Sequence, residues 1–384
     1  MSENATDRPG EIVLGQPRFS EEEIAAVASV LRSGWIGPGP WVERFEEAFA
    51  AYQGCRHAVS LASCSSALLL ALRASGVGAG DEVITGALTF PATVNAILEC
   101  GAKPVIVDIE PEYCTLDLRQ VRQLIGPRTR AVIPVHLAGA PANVAELLEL
   151  RRHHNLLIVH DCAHAIETAW DGRRLGSFAD IACYSFYATK NLTTGEGGML
   201  CTDDRQVAER VRRMAFQGLN TDTWKRFSRS EIGYDVVSSG FKLYMTDLQA
   251  TLGLAQLKTL EERQERRRRV WDQYRSALAG LPIALPLDPA PTHTHARHLF
   301  RVGIPADRDR VLLAMRRRGI GCGIHYPSLA AMTFYRETLG WRPEDYPRTQ
   351  REAERTLSLP ISSYFREGDA ERVAGGLQEA LRES

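Results

Sequence analysis

Ser185-Phe186-Tyr187-Ala188-Thr189-Lys190-Asn191-Leu192-Thr193-Thr194-Gly195-Glu196-Gly197-Gly198 is the stretch on which the fold turns. The apolar run Ile181 to Phe186 has strand character, a lysine follows it, and glycines close the turn. A lysine beside a glycine turn is, taken alone, an ordinary surface residue. Here the strand end and the bent Thr-Thr-Gly-Glu-Gly-Gly segment crowd it, so its amine should be partly desolvated and its pKa lowered. A second apolar run, Leu156 to His160, ends at Asp161-Cys162-Ala163-His164. Two strands thus deliver an amine and a carboxylate at their carboxyl ends, where open α/β sheets place their ligands.

Outward from these two runs the chain keeps a strand–helix rhythm. Strands are expected at 57–61, 81–85, 104–107, 131–135, 156–160 and 181–186. Helices are expected at 66–74, 92–100, 118–125 and 142–153 between them. The strands are apolar without clean alternation, so the sheet should be mostly parallel and covered on both faces, an α/β three-layer arrangement. Before it, Ser20-Glu21-Glu22-Glu23 reads as a capping box opening a helix over 21–32, and a second helix runs over 41–53. After it, one long helix is expected over 246–269. A smaller α+β domain follows, with a strand at 298–302 and helices at 308–318 and 369–382. A chain of 384 residues exceeds one core, which predicts two domains, 1–250 and 251–384.

Bulk properties exclude several classes. The 46 basic and 47 acidic side chains leave a net charge of −1, which gives no electrostatic case for nucleic acid or a membrane surface. No run is apolar and long enough for a membrane helix, and the start carries no signal-peptide core. Eight scattered cysteines, none in a Cys-x-x-Cys pair, fit buried reduced thiols in a cytoplasmic protein. No Gly-x-Gly-x-x-Gly follows the first strand and no Gly-x-Ser-x-Gly elbow is present. His160 and His164 have the spacing of a metal pair, but they leave a strand and no glutamate lies between them, which makes zinc a minor option.

A fixed amine and a buried carboxylate suit pyridoxal 5′-phosphate. Lys190 forms the Schiff base, and Asp161 keeps the ring nitrogen protonated so that the ring accepts electrons from the substrate. His164 would touch the cofactor face or its phenolic oxygen, or is a satisfied structural histidine. Ser63-Cys64-Ser65-Ser66 joins a strand to a helix, and N–H groups at such a start bind phosphate, although a plain serine cap would look the same. Ser185 adds a hydroxyl there. Phe90 would stack on the ring or belong to the core. His325 and Tyr326 follow a glycine-rich turn and would face substrate. The rigid Gly34-Trp35-Ile36-Gly37-Pro38-Gly39 loop should cover substrate or a dimer seam. Lys225, Arg226 and Arg229 would meet a diphosphate or are solvated surface, and the His293, His295, His298 group reads as surface or substrate-facing.

The chain resembles the DegT/DnrJ/EryC1/StrS family of sugar aminotransferases, within the fold-type I enzymes of pyridoxal phosphate. The resemblance runs from Ser33-Gly34-Trp35 to Ser358-Leu359-Pro360. It is carried by Gly80 to Thr85, Gly101 to Val105, Ile133-Pro134-Val135-His136, Asp161 to His164, Ser185 to Gly198 and Met245 to Ala250. It implies Lys190 as the Schiff-base lysine, Asp161 as the ring-nitrogen partner and His164 as the contact on the phenolic side. It implies Phe90 as the stacking aromatic and Cys64, Ser65 and Ser185 as the phosphate cradle. Lys242 matches the residue that reaches the cofactor phosphate of the neighbouring subunit, so the protein is expected to be a homodimer with shared sites. Trp35, Ile36, Tyr187, Arg229, His325 and Tyr326 are the expected substrate contacts. Two departures stand out: Cys64 replaces a small non-thiol residue, and Gly240-Phe241-Lys242-Leu243-Tyr244 varies on the usual tyrosine-rich stretch. Lys190 argues against the branch that carries histidine there and removes a hydroxyl.

The expected reaction moves the amino group of L-glutamate, through pyridoxamine 5′-phosphate, to the C4 keto group of a nucleotide-linked 4-keto-6-deoxyhexose, with dTDP as the preferred carrier. Amination at C3 of a 3-keto sugar or of a keto-cyclitol is the alternative. A non-catalytic regulatory protein on the same fold is a distant third.

Overall fold

The computed structural model describes residues 10–221, 224, 233–305 and 307–383. Its centre is a seven-stranded sheet. The strands are β1 (His57–Leu61), β2 (Glu82–Gly86), β3 (Lys103–Val107), β4 (Thr129–Ile133), β5 (Leu157–Asp161), β8 (Ile181–Ser185) and β9 (Gly198–Thr202). A two-stranded hairpin of β6 (Ala169–Trp170) and β7 (Arg173–Arg174) lies between β5 and β8 in the chain. The sheet order is β1-β9-β8-β5-β4-β2-β3. From β8 to β3 the neighbours are parallel. β9 runs against both β8 and β1, so it alone is reversed.

Both faces of the sheet are covered, and the pleat sorts the side chains. Val59, Leu61, Val83, Ala131, Ile133, Val159, Ile181, Cys183 and Leu200 pack toward the helices Cys64–Ala74 and Arg205–Ala215. Their sequence neighbours Ala58, Ala182, Tyr184, Met199 and Cys201 join Phe45 and Phe49 of the helix Pro40–Gln53 on the other side. Ile84, Val132 and Ile158 extend that side over Val144–His154. The run of apolar residues without alternation is therefore a strand with two buried faces. The capping box forms as expected: Ser20 Oγ accepts from the Glu23 N–H, and the Glu23 carboxylate accepts from the Ser20 N–H.

A second core lies beyond the sheet. Trp271, Tyr274, Phe300, Val302, Val311, Met315, Leu357 and Leu377 share one buried cluster with Ile12. β10 (Phe300–Gly303) pairs antiparallel with β11 (Thr356–Leu359) there. The N-terminal stretch stitches this body to the first. Ile12 bridges Gly319 and Gly321, and the chain then runs past Leu14 and Gly15 to the helix Glu21–Ser33.

The single helix expected over 246–269 is two helices, Asp247–Leu257 and Leu260–Ala277. Thr259, at φ −110° and ψ 8°, leaves the helical region and breaks the run. The second helix crosses from one core to the other. Ala250 and Leu260 pack with Phe45 and Phe186, while Val270, Trp271 and Tyr274 belong to the second core. Gln256, at the end of the first helix, anchors it by a two-way bond with the backbone of Thr193.

Candidate active site

β1, β2, β5 and β8 all end at one edge of the sheet, and their following loops surround a cavity of about 500 Å³. Cys64, Ser65, Phe90, Asp161, His164, Ser185, Tyr187 and Lys190 line it from the sheet side, and His325 and Tyr326 close it from the second body. Ten residues expected from the sequence thus meet in one place.

Asp161 is the last residue of β5, pinned by backbone bonds to Pro134 and His136. Thr93 Oγ1 donates to its Oδ2 at 2.8 Å and the Ala163 N–H to its Oδ1 at 3.1 Å. Burial pushes this carboxyl up, while Thr93, the Ala163 N–H and the charge of Lys190 act to keep it ionised. Lys190 sits on the turn after β8, where its N–H bonds the Tyr187 carbonyl. Burial lowers its amine to about 8, against the opposing pull of Cys64 and Asp161. An amine that loses its proton near neutral pH can attack a carbonyl and later carry a proton.

The helix Cys64–Ala74 begins at the cavity. Ser63 Oγ takes the Ser66 N–H, which leaves the Cys64 and Ser65 N–H groups at the helix start for an outside acceptor. Gly198 of β9 makes this close approach feasible. A Cβ there would lie 2.3 Å from the Ser63 carbonyl carbon and 2.5 Å from the Cys64 nitrogen. Phe90 caps the helix Pro91–Glu99, and its ring stands 5.8 Å from that of Tyr326.

His164 Nδ1 accepts from the Ala138 N–H, so its proton lies on Nε2, which meets Tyr326 Oη at 3.0 Å. Burial first, and the charges of Lys190 and Arg301, hold this imidazole well below its usual range. Burial likewise lowers His325 to about 4, and its Nδ1 contacts Ser358 Oγ at 2.9 Å.

The remaining expectations fall elsewhere. Trp35 and Ile36 do not line this cavity; Trp35 Nε1 donates to Pro38 and its ring meets Trp224 at 5.0 Å. Lys242 is exposed and outside the cavity of its own chain. Arg229 lies outside the described residues, as do Lys225 and Arg226. The histidine group divides: His293 stacks on Trp170 and His295 is buried against Trp271, while His298 lines the cavity. His160 is no partner of His164, because it contacts His136 at 2.8 Å inside the core.

Sequence reasoning missed Thr93, Leu14, Gly15, Glu167 and Asn191. Thr93 had a signal, since it stands one helical turn past Thr89 at the same helix start, and their hydroxyls are 3.1 Å apart.

The cavity fits the cofactor expected from the sequence: open N–H groups at one end, a buried carboxylate at another and a half-buried amine between. Comparison with known proteins gives the family. The DegT/DnrJ/EryC1/StrS aminotransferase family matches residues 17–378. The spore coat polysaccharide biosynthesis protein SpsC of Bacillus subtilis is 37% identical over 373 residues, covering 95% of this chain and 96% of SpsC. DesV of S. venezuelae, solved in complex with a ketimine intermediate, is 37% identical with a TM-score of 0.86 over 94% of each chain. Spr1654 of Streptococcus pneumoniae in its PMP form is 30% identical with a TM-score of 0.90, covering 97% of this chain and 98% of its own, and it has also been solved in a PLP form. Matched along nearly its whole length in sequence and in fold, the chain belongs to the DegT/DnrJ/EryC1/StrS aminotransferase family.

Proposed function

We propose that this protein transfers the amino group of L-glutamate to the C4 keto group of a nucleotide-linked 4-keto-6-deoxyhexose, with dTDP as carrier, in amino-sugar biosynthesis. It is a sugar aminotransferase of pyridoxal 5′-phosphate, which passes through the pyridoxamine form. The observation that carries the reading is Lys190 and Asp161 on one cavity wall, each sensed by the other's charge.

When bound, the cofactor supplies an electron sink and carries the nitrogen between two substrates. The chain's residues divide the remaining work. The Cys64 and Ser65 N–H groups and the Ser185 hydroxyl hold the phosphate. Asp161, oriented by Thr93, holds a proton at the ring nitrogen. Phe90 would cover a ring face, and His164 would stand on the phenolic side. Lys190 would anchor the cofactor covalently until the donor's own amine displaces it, and the freed Nζ would then take the proton from the donor's α-carbon and hand it on; one amine can serve both ends of the shift because it is held close to both. Tyr187, His325 and Tyr326 border the space left for the sugar. Arg229 is proposed to meet its diphosphate, and the Trp35-Ile36 loop to cover it from a neighbouring subunit.

Exposure supports a homodimer. Phe90 and Tyr187, which line the cavity, are 56% and 47% exposed, high for aromatic side chains beside a reaction centre, and Lys242 is exposed and lies outside its own cavity. Eight unpaired cysteines, six of them buried, suit the reducing cytoplasm. Among the described residues no helix is long and apolar enough to cross a membrane.

The test is a half-reaction screen. The pyridoxamine form is offered 3-keto and 4-keto nucleotide sugars and keto-cyclitols, and product NMR locates the new amine. An amine at C3 or on a cyclitol rejects the C4 assignment. Lys190→Ala should abolish both turnover and the visible absorbance of the lysine-bound cofactor; normal turnover in that variant rejects the role of Lys190.

A further inference from the structure

The residue after Lys190 has no part in the reaction described above, yet its side chain is fully committed. Asn191 is buried, and its Nδ2 donates to both carboxylate oxygens of Glu167, at 2.9 and 3.0 Å, and to the Ala296 carbonyl at 2.9 Å. Those acceptors fix which way the amide faces. Its Oδ1 therefore meets Nδ1 of His298, 3.1 Å away. A neutral imidazole has one proton, and an acceptor opposite Nδ1 requires it there. Nε2 then remains a bare lone pair. His298 lines the cavity, with its ring 4.5 Å from that of His164. Burial, reinforced by His164, Lys190 and Arg267, keeps the ring uncharged.

Glu167 is wholly buried, and no catalytic role accounts for it. Burial pushes it up to about 7, and Asn191, Arg267 and Arg174 oppose that. Charged or neutral, it still accepts from Asn191. Without it, only the Ala296 carbonyl would resist a turn of the amide, and such a turn would present Nδ2 to His298 and move the imidazole proton to Nε2.

We infer that Glu167 and Asn191 are positioning residues that hold His298 as the Nδ1-protonated tautomer, making its Nε2 a permanent acceptor for a hydroxyl of the sugar substrate. The choice of ligand rests on the sugar-aminotransferase reading and follows from chemistry. A keto sugar offers several hydroxyl donors. L-glutamate offers carboxylates, which need donors, and an amine engaged at the reacting centre. A group that accepts and never donates also turns a keto oxygen away from its position. His298 thereby becomes a specificity-determining residue, set by a bond network behind the wall.

Nitrogen NMR of holoenzyme labelled at histidine reads the tautomer without any turnover. The His298 signal, identified by its loss in His298→Gln, should show the proton on Nδ1. A proton on Nε2 in the wild-type protein overturns the inference. Glu167→Gln keeps an acceptor for Asn191 and should keep the tautomer, whereas Glu167→Leu should mix the two forms. In separated half-reactions, Glu167→Leu should raise KM for the keto sugar roughly tenfold, the scale of one lost hydrogen bond, with the glutamate half-reaction within about threefold of wild type. Equal losses in both halves would mean general damage and would defeat the specificity role. If wild type aminates no keto sugar, the sugar reading falls and the hydroxyl assignment with it, while the spectrum still decides the tautomer lock. A Glu167→Leu protein that fails to fold leaves that wild-type spectrum as the deciding measurement.

Discussion

Lys190 shows how much one side chain owes to its surroundings. A lysine amine normally keeps its proton to beyond pH 10; removal from water brings this one to about 8. The unprotonated amine is the nucleophile. Capture of pyridoxal phosphate by cofactor-free enzyme should therefore speed up as pH rises through about 8 and level off above it. Stopped-flow absorbance checks this, and a rate still climbing toward pH 10 would mean the amine is not desolvated. Asp161 works in the opposite direction. Burial alone would neutralise it, and Thr93, the Ala163 N–H and Lys190 act against that. The sequence made both residues legible because each follows an apolar strand at the sheet's carboxyl edge. It hid Thr93, whose 2.8 Å bond to Asp161 spans 68 positions.

At the scale of elements, local pattern was a good guide where one core was involved. β1 and the helices Glu21–Ser33 and Asp369–Arg382 lie where periodicity and capping placed them, within a residue. β9 went unread, although Gly198 to Thr202 is apolar, because Gly198 and the glycines just before it resembled the tail of a turn. Those glycines have a use. Gly198→Ala would drive a methyl into the Ser63–Cys64 peptide and displace the helix start that offers N–H groups to the phosphate. Cofactor affinity should fall by roughly tenfold or more, since well-formed bonds to a charged group are lost. Titration of the visible cofactor spectrum measures it, and unchanged affinity would remove the helix start from the cradle. The break between Leu257 and Leu260 was invisible for a different reason. Both halves have helical periodicity, and the break shows only in the backbone, where Thr259 leaves the helical region. We propose Lys258–Thr259, rather than 250/251, as the division between the two bodies.

At the scale of the whole molecule, two bodies and the proposed second subunit share the site. Residues at 14–15, at 298–299, at 325–326 and at 361 reach the cavity from outside the sheet's own loops. If Lys242 serves the neighbour's cofactor, two defective proteins should repair each other. Lys190→Ala and Lys242→Ala, each weak or inactive alone, would form a hybrid dimer with one complete site. Statistical mixing should recover about a quarter of wild-type activity, half the dimers with half their sites. Sedimentation of the purified protein should report a dimer. No recovery in a mixture shown to exchange subunits would return Lys242 to its own chain or to the surface.

The sequence by itself determined the α/β rhythm, the carboxyl-edge location of the amine and the carboxylate, and the family resemblance, because strand hydrophobicity, caps and glycine turns are local properties of neighbouring residues. Only the tertiary structure decided which polar groups meet. Tyr326 bonds His164 across 162 positions, and Asn191 meets His298 across 107. No periodicity encodes such pairs. A buried donor must find an acceptor, but which one lies within 3 Å depends on how two cores pack against each other.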